Sequence, residues 1–572
     1  MKPYMGFAIA APLFMLLEVM MDLMQPMFMQ RIVDIGIASG DMVYVSRTLL
    51  FMIGVSILGF IGGVGCSYFS AKSAINAGTD IREALFAHVQ NLSFANIDDL
   101  KTGNLITRLT NDIVQVQRIM MMMMRIFVRS PLQIVGSLLM TYIISPQLFL
   151  ILLALIPLLV LTIILVMKKG FPLYRQVQKK LDGVNTVMQE NLSGIRVVKA
   201  FVREDFERER FNQVNEDYME STIKVFKVMA IISPITMIII NAGVVAVLWF
   251  GHIELANGQI QVGKIMAFIN YLLQLLNSLM MFAGVLVMSS RAQASAERIN
   301  EVFETTPDIQ DDEDALEIDT LEGDLIFDKV SFSYGDHTMA PVLKDVSFRA
   351  KRGQKVAIIG STGSGKSTLV NLIPRLYEVS SGRIMIGNHD IKKIKRSSLR
   401  QHIGMVLQQS LLFSGSIRDN ILYGKEAAIS SELNDAIAIS GSSEFIEDFE
   451  DGTGTLLGQK GVNLSGGQKQ RLSIARALIR KPSILILDDS TSAVDVTTEY
   501  KIQSSLKKMT TSPIIVMVAQ RISSVLDADK IIVLEDGSVV GEGNHENLIA
   551  SNEVYREIYE SQLGKVGEFN EH

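Results

Sequence analysis

The sequence predicts an all-α six-helix transmembrane domain followed by an α/β domain, and three observations support this fold class. Hydrophobic residues make up 48% of the 572 residues, yet most acidic residues lie after about position 300. Before that position, six apolar stretches are long enough to cross a bilayer, which takes roughly 20 apolar residues in a helix. After it, an apolar strand leads directly into a glycine-rich loop, an arrangement typical of α/β folds.

The six predicted spans begin close to the amino terminus. They lie near residues 5–29, 48–72, 119–143, 148–168, 228–250 and 265–289. Pro146 marks a tight turn between the third and the fourth. No small-residue cleavage site follows the first stretch, so we interpret it as a retained membrane helix and not as a signal peptide. Residues 1–302 are assigned to the transmembrane domain.

The segments between the spans predict the orientation in the bilayer. Segments 73–118 and 169–227 are long and helical in pattern, whereas 144–147 and 251–264 are short. Lysine and arginine crowd the region from 168 to 210, and the 144–147 turn has none. The positive-inside rule therefore places the long segments, and with them both termini, in the cytoplasm.

Two carboxylates, Glu18 and Asp22, lie one helical turn apart inside the first span. A carboxylate there is costly unless it faces a cavity or a partner. Two interpretations stay open, namely contact with a ligand, and a position near the outer interface or paired with a neighbouring helix. The run Met120–Met124 suits an adaptable ligand surface, although most of the 30 methionines are expected to pack or to face lipid.

Charge and cysteine content exclude two classes of function. The net charge of −6 is spread over two dissimilar regions without a basic stripe, which excludes a nucleic-acid partner. The single cysteine, Cys66, lies in an apolar run, where we expect a small buried residue and not a metal ligand or redox centre.

The second domain begins after a polar, acidic linker at residues 303–322 and occupies residues 323–572. Its strand Lys355–Ile359 leads into Gly360-Ser-Thr-Gly-Ser-Gly-Lys-Ser367, which matches the phosphate-binding P-loop motif and opens a helix. Backbone N–H groups of such a loop surround phosphate oxygens, Lys366 reaches the terminal phosphates, and the Ser367 hydroxyl can bind Mg²⁺. The predicted nucleotide-binding residues are Gly360, Ser361, Thr362, Gly363, Ser364, Gly365, Lys366, Ser367 and Thr368.

A second strand, Ile484–Leu487, ends in Asp488 and Asp489. Because α/β sheets bind ligands at the carboxyl ends of their strands, Asp488 is expected to hold Mg²⁺ through water. ATP and Mg²⁺ are the expected cofactors.

A third motif lies between these two. Leu464-Ser-Gly-Gly-Gln468 and the following Lys-Gln-Arg-Leu-Ser-Ile-Ala-Arg476 resemble the ABC-transporter signature. With this order of motifs, the chain resembles an ABC exporter half-transporter, and the second domain an ABC-type ATP-binding domain. The resemblance implies a second ABC half-transporter as partner, because ATP lies between one chain's P-loop and the other chain's signature, here Ser465, Gly466, Gly467 and Gln468.

Further positions match the family individually. Tyr334 matches the aromatic residue that stacks on adenine, and Gln408 matches the glutamine that senses Mg²⁺ and the γ-phosphate. Asp495 matches a residue of the loop that links the two ATP sites. Residues 103–112 and 190–201 resemble the cytoplasmic stretches near the coupling helices of ABC exporters. An amphipathic helix usually precedes the first span and is nearly missing here, which implies a longer natural amino terminus.

The sequence departs from the family at three positions. Asp489 replaces the glutamate that polarises the attacking water, and Gln520 replaces the switch histidine. Gln459 stands where related exporters have glutamate. A shorter carboxylate and an amide that cannot become imidazolium both affect hydrolysis and not ATP binding.

The resemblance therefore implies one subunit of a heterodimeric ATP-driven exporter in the cell membrane, with a degenerate, weakly hydrolytic ATP site. The expected substrate is a small lipophilic or cationic compound, as in multidrug efflux. Two alternatives remain: a lipid or peptide exporter of the same architecture, and an ATP-gated regulatory subunit without transport.

Overall fold

A computed structural model describes residues 2–335, 340–490, 494–509 and 512–563, apart from the side chains of residues 286, 287, 290 and 496. The chain divides into two compact units. The first comprises the residues up to Ala87 together with Gly103–Glu304, and the second comprises His88–Thr102 and the residues from Thr305 onward.

Residues 2–304 are mostly helical. The helices are α1 (Met5–Arg31), α2 (Met42–Asn91), α3 (Phe94–Leu100), α4 (Thr102–Thr107), α5 (Ile113–Ile144), α6 (Pro146–Ser193), α7 (Ile195–Ala200), α8 (Glu204–Ala230), α9 (Ile232–Ala256) and α10 (Val262–Glu304). Six helical segments in the described part are long and apolar enough to span a membrane, which confirms the predicted number. They are Lys2–Ile37, Met42–Asn91, Thr102–Ile144, Pro146–Ser193, Glu204–Ala256 and Val262–Val285.

The turn between α5 and α6 follows from its sequence. Pro146 disfavours helical backbone at the residue before it, and Ser145 accordingly has φ −156°. The Ser145 hydroxyl accepts a hydrogen bond from the Leu148 N–H, and Pro146 takes the first helical position, which suits its fixed φ. The predicted tight turn thus consists of a single residue between two helices.

Two apolar clusters form the interior of the first unit. One joins α6, α9 and α10 through side chains such as Leu152, Val247 and Leu272. The other surrounds α1 and includes Met124 and Cys66, which is 0% exposed. The expectation that Cys66 is a small buried residue is confirmed.

The second unit contains two main sheets. Its strands are β1 (Leu325–Phe332), β2 (Leu343–Ala350), β3 (Lys355–Gly360), β4 (Ser381–Ile386), β5 (His389–Asp390), β6 (Ile403–Val406), β7 (Gly415–Ser416), β8 (Leu456–Leu457), β9 (Ile484–Asp488), β10 (Ile514–Val518), β11 (Lys530–Glu535) and β12 (Ser538–Gly543). Its helices after Thr305 are α11 (Lys366–Leu372), α12 (Arg396–Gln401), α13 (Ile417–Leu422), α14 (Ser430–Ile439), α15 (Ser443–Glu447), α16 (Gly466–Leu478), α17 (Val496–Lys507), α18 (His545–Ser551) and α19 (Glu553–Leu563).

The larger sheet has the strand order β12-β11-β3-β10-β9-β6, and a smaller antiparallel sheet has the order β2-β1-β4-β5. In the larger sheet all neighbouring strands are parallel except β11 and β12. Alternate residues of β3 enter different apolar clusters, Ala357 and Ile359 on one face and Val356 and Ile358 on the other, as expected for a strand buried on both faces. Because β10 lies between β3 and β9, the carboxyl ends of these three strands meet at one edge.

Candidate functional site

The P-loop joins β3 to α11 at that edge. Gly363 and Gly365 have φ of +88° and +94°, which side-chain-bearing residues rarely adopt. Lys366 begins α11, and its Nζ donates to the carbonyl oxygens of Gly360 at 2.9 Å and Ser361 at 2.7 Å. Burial lowers the pKa of the Lys366 ammonium, and the neighbouring carboxylates of Asp489 and Asp488 oppose this shift. The P-loop therefore holds the Lys366 ammonium group against its own backbone carbonyls.

Asp488 closes β9 beside this loop. The Ser367 hydroxyl donates to Asp488 Oδ1 at 3.0 Å, so the two residues expected to hold Mg²⁺ lie together. Burial raises the pKa of Asp488, and the adjacent Asp489 carboxylate raises it as well. Hydroxyl and carboxylate oxygens are the ligands that Mg²⁺ prefers, so this donor set fits the ion. The described residues contain no group of three or more His, Cys, Asp or Glu that could hold a metal, so phosphate and water oxygens would complete the shell.

Asp489 is bound by the two glutamines that the sequence placed in the same site. The Gln520 Nε2 donates to Asp489 Oδ2 at 2.9 Å, and the Gln408 Nε2 donates to the same oxygen at 3.3 Å. Asp489 has φ +46°, in the left-handed region that aspartate tolerates better than most residues. Burial raises the pKa of its carboxyl. The residues that depart from the family at 489 and 520 are therefore direct neighbours.

Tyr334 adjoins the P-loop helix. Its hydroxyl lies 3.0 Å from Thr368 Oγ1, within hydrogen-bonding distance. Its ring meets the ring of Tyr377 edge to face, with a centroid distance of 5.3 Å and an interplanar angle of 86°. Tyr377 in turn donates from its hydroxyl to Asp98 Oδ2 at 2.8 Å, on helix α3. Burial raises the pKa of the Tyr377 hydroxyl, which keeps it a donor.

The signature residues form a helix cap on α16. The Ser465 hydroxyl accepts from the Gln468 backbone N–H at 3.3 Å, and the Gln468 side-chain Oε1 accepts from the Ser465 N–H at 2.9 Å. This reciprocal capping box leaves Ser465 and Gly466 exposed at the positive end of the helix. Within the described residues, no hydrogen bond joins Ser465 or Gln468 to the P-loop of the same chain.

Asp495 caps α17 in a similar way. Its Oδ1 accepts from the Thr498 N–H at 2.9 Å, and this hydrogen bonding lowers the pKa of the Asp495 carboxyl. Ser492 and Ala493, the preceding residues of the matched loop, lie outside the described residues. Gln459, the third departure from the family, is exposed at the start of a short 3₁₀ turn, Gln459–Gly461.

The two carboxylates of the first span share one arginine. Arg129 on α5 donates from Nη1 to Glu18 Oε1 at 2.6 Å and from Nη2 to Asp22 Oδ2 at 2.9 Å. All three residues line a cavity of about 770 Å³ together with Gln25 and Tyr68. Of the two interpretations left open, the structure contains the ion pair with a neighbouring helix, and it also places the pair at a cavity wall.

Sequence reasoning missed the partners that hold these groups. Arg129 had a usable signal, because it is a charged residue inside the predicted span 119–143. No signal in the sequence pointed to Tyr377 and Asp98, because they are separated by 279 positions and neither lies in a motif.

Comparison with known proteins gives the family. Residues 8–279 match the family described as the ABC transporter transmembrane region, and residues 343–492 match the family described as ABC transporter. The chain is 41% identical to the uncharacterized ABC transporter ATP-binding protein YfiB of Bacillus subtilis (strain 168), over 99% of this chain and 98% of the relative. It is 32% identical to an ATP-dependent lipid A-core flippase of Syntrophus aciditrophicus (strain SB), over 88% of this chain and 84% of the relative.

A solved structure has the same fold. It is that of a bacterial Atm1-family ABC exporter with ATP bound, with a TM-score of 0.81, 24% identity and 98% of both chains covered. These matches extend over the membrane helices and the ATPase sheet alike. The chain therefore belongs to the ABC transporters, as a multi-pass exporter half-transporter whose carboxy-terminal ATPase domain binds ATP and couples its hydrolysis to transport.

Proposed function

We propose that this chain is one subunit of a heterodimeric ABC exporter and that its own P-loop forms a degenerate site, which holds Mg·ATP and hydrolyses it slowly. One observation supports this most strongly. The Asp489 carboxylate, expected to polarise the attacking water, accepts hydrogen bonds from both Gln520 and Gln408. The ATP domain and both termini would face the cytoplasm.

The chemistry of these side chains supports slow hydrolysis. Aspartate is one methylene shorter than the glutamate of the family, and general-base catalysis depends on hydrogen-bond reach. A glutamine amide has no proton that it can release or gain near neutral pH, so Gln520 cannot act as an imidazolium beside the γ-phosphate. General-base assistance contributes roughly 10²–10⁴-fold to a rate, so its loss dominates the expected turnover.

The residues expected to bind ATP and Mg²⁺ retain the functional groups that this binding needs. Lys366, Ser367 and Asp488 are clustered at the P-loop, and Gln408 retains a carbonyl oxygen that can face the metal. The intact cap at Ser465 presents a helix N-terminus of the kind that binds anions. In a head-to-tail dimer this cap would complete the site of the partner half-transporter, which would then carry the hydrolytic activity.

The proposed cargo is a small lipophilic compound that enters from the bilayer, as in multidrug efflux. The lipid-exporter alternative gains support from the relative that bears the name of a lipid A-core flippase. A site for cations at Glu18 and Asp22 loses support, because Arg129 pairs with both carboxylates and offsets one of their two negative charges. The alternative of an ATP-gated regulatory subunit without transport loses support, because the relatives and the fold of this chain are those of ABC exporters.

ATPase assays on the purified chain test the proposal. A verified homodimer would contain two sites with Asp489 and Gln520, so we expect turnover close to that of the Lys366→Ala variant. Co-expression with the partner half-transporter is expected to restore turnover. Vigorous Mg·ATP hydrolysis by the homodimer, abolished by Lys366→Ala, would contradict the asymmetric assignment.

A further inference from the structure

Two cavities adjoin each other in the membrane half, around Arg125 and Arg129 of α5. Both residues line the cavity of about 770 Å³ that contains Glu18 and Asp22, and both line a second cavity of about 260 Å³. Met15 also lines both. We call the second one the arginine–methionine cavity. Its lining residues are Met15, Arg118, Met121, Met122, Arg125, Ile126, Arg129 and Met281.

The charges of this cavity are unbalanced. Among the described residues, its lining includes three guanidinium groups and no carboxylate. Arg129 is paired with Glu18 and Asp22 from the larger cavity, so across both cavities three arginines face two carboxylates and one positive charge is left over. Within the part of the chain that the structure describes, neither Arg118 nor Arg125 forms a hydrogen bond or an ion pair. A cation inside a membrane span is costly unless it is paired or hydrated, so Arg125, within the predicted span 119–143, favours an anion brought from outside the chain. Arg118 directly precedes that span and lines the same cavity, so it can bind the same anion.

The positions of the arginines allow them to act together. Residues 118 and 125 are seven apart and 125 and 129 are four apart, so all three lie on one face of α5. The spacing of seven residues corresponds to roughly 10 Å along a helix axis. Guanidinium groups bind phosphate and carboxylate oxygens in a two-pronged geometry that an ammonium group does not offer.

The remaining wall of the cavity is apolar and adaptable. Four methionines and Ile126 supply it, and thioether side chains adjust to chains of different shape. A volume of about 260 Å³ is slightly below the range of about 300–1,000 Å³ typical of a whole drug-sized ligand. It suits a headgroup and the first part of a chain, with the adjoining larger cavity available for the rest.

We infer that the arginine–methionine cavity binds an anionic amphiphile, with a phosphate or carboxylate headgroup on Arg125 and Arg118 and an apolar chain against the methionines. This deepens the proposed exporter function by naming a class of cargo, and it rests on that function for the direction of transport. It also favours anionic over the cationic compounds that the sequence suggested, because Arg129 already pairs with both carboxylates expected to attract a cation.

Cysteine labelling measures occupancy of the cavity. A Cys66→Ala, Met122→Cys chain is placed at full length in phosphatidylcholine nanodiscs, and alkylation by N-ethylmaleimide is timed. Dodecyl phosphate is expected to slow the reaction, by about tenfold at ten times its Kd if binding blocks the thiol. Dodecyltrimethylammonium, which has the same chain and the opposite charge, is expected to leave the rate unchanged. A matched control with Trp249→Cys, a residue 70% exposed on α9, reports any general effect of the amphiphile on the disc.

Variants assign the effect to the arginines. Arg118→Gln with Arg125→Gln is expected to abolish protection of the cysteine. Arg125→Lys keeps the charge and should retain part of the protection, which controls for a folding defect.

A second experiment incorporates phosphatidic acid into the nanodisc in place of added dodecyl phosphate. Protection by phosphatidic acid identifies a bilayer lipid as the source of the ligand, and protection only by added dodecyl phosphate identifies a free amphiphile. Labelling needs neither hydrolysis nor a partner, so its outcome is independent of the test of the degenerate site. Equal protection by the cationic probe, protection that survives loss of both arginines, or no protection in either arm would overturn the inference.

Discussion

The side-chain nitrogen of Gln520 lies 2.9 Å from Asp489 Oδ2, so the residue at the switch position binds the residue at the catalytic-base position. Gln408 donates to the same oxygen at 3.3 Å. Two side-chain amides of the protein thus orient this carboxylate. The two departures from the family therefore form one arrangement and not two independent changes.

Restoring both side chains should activate this site. We expect Asp489→Glu with Gln520→His to raise turnover at this chain's own P-loop by at least about tenfold, a bound set below the roughly 10²–10⁴-fold that general-base assistance contributes. Asp489→Glu alone should give less, because Gln520 would still hold the carboxylate. Steady-state ATPase of the purified chain is the measurement. Adding Lys366→Ala should abolish the gain, and a double variant that binds ATP without any gain would contradict this account of the site.

Substitutions in this site and in the signature should differ in severity. In the complex with its partner, Asp489→Asn should reduce turnover only modestly, since this site contributes little hydrolysis. Ser465→Ala or Gly466→Ala should be severe, because those residues would complete the partner's site. Losing the Ser465 cap also costs about 1 kcal/mol of helix stability, so thermal melting must accompany the ATPase assay. If Asp489→Asn lowered turnover as much as the signature variants do, this chain's own site would have to be hydrolytic.

The fold and part of the site followed from local sequence. The six spans were predictable because each is a continuous apolar stretch, and the contact of Ser367 with Asp488 was predictable because parallel strands end at one edge of the sheet. The helical pattern of 73–118 was also predicted, but not that span 48–72 and the start of this segment form one continuous helix, α2, over Met42–Asn91. Arg129 lies more than 100 positions from Glu18 and Asp22, and tertiary packing alone decides such pairing.

Tyr377 should position the aromatic residue expected to stack on adenine. Tyr377→Ala removes its edge contact with Tyr334, and aromatic pairs contribute about 0.5–1.5 kcal/mol, so nucleotide affinity should fall by about 2- to 12-fold. Tyr377→Phe keeps the ring and loses only the bond to Asp98, so it should retain affinity. Binding of a fluorescent ATP analogue measures both. If Tyr377→Phe weakened binding as much as Tyr377→Ala, the hydroxyl and not the ring contact would be responsible.

Neutralising the carboxylates of the first span should expose the charge of Arg129. We expect Glu18→Gln with Asp22→Asn to lower the thermal stability of the detergent-solubilised protein, because breaking a partly buried pair from one side leaves an unpaired charge. Adding Arg129→Gln should recover much of the loss. Efflux of a cationic and a neutral dye should fall equally in the double variant at matched expression. A selective loss of the cationic dye would instead return these carboxylates to the substrate site.

The fate of the γ-phosphate on each subunit tests the degenerate site most directly. The complex is incubated with an azido-ATP labelled at the α- or the γ-phosphate, allowed to turn over, and photolysed. We predict that this chain retains both labels, since it holds unhydrolysed ATP, whereas the partner retains only the α label. In the Asp489→Glu, Gln520→His variant the γ label should disappear from this chain as well. Loss of the γ label from the unaltered chain in the same proportion as from its partner would contradict the account.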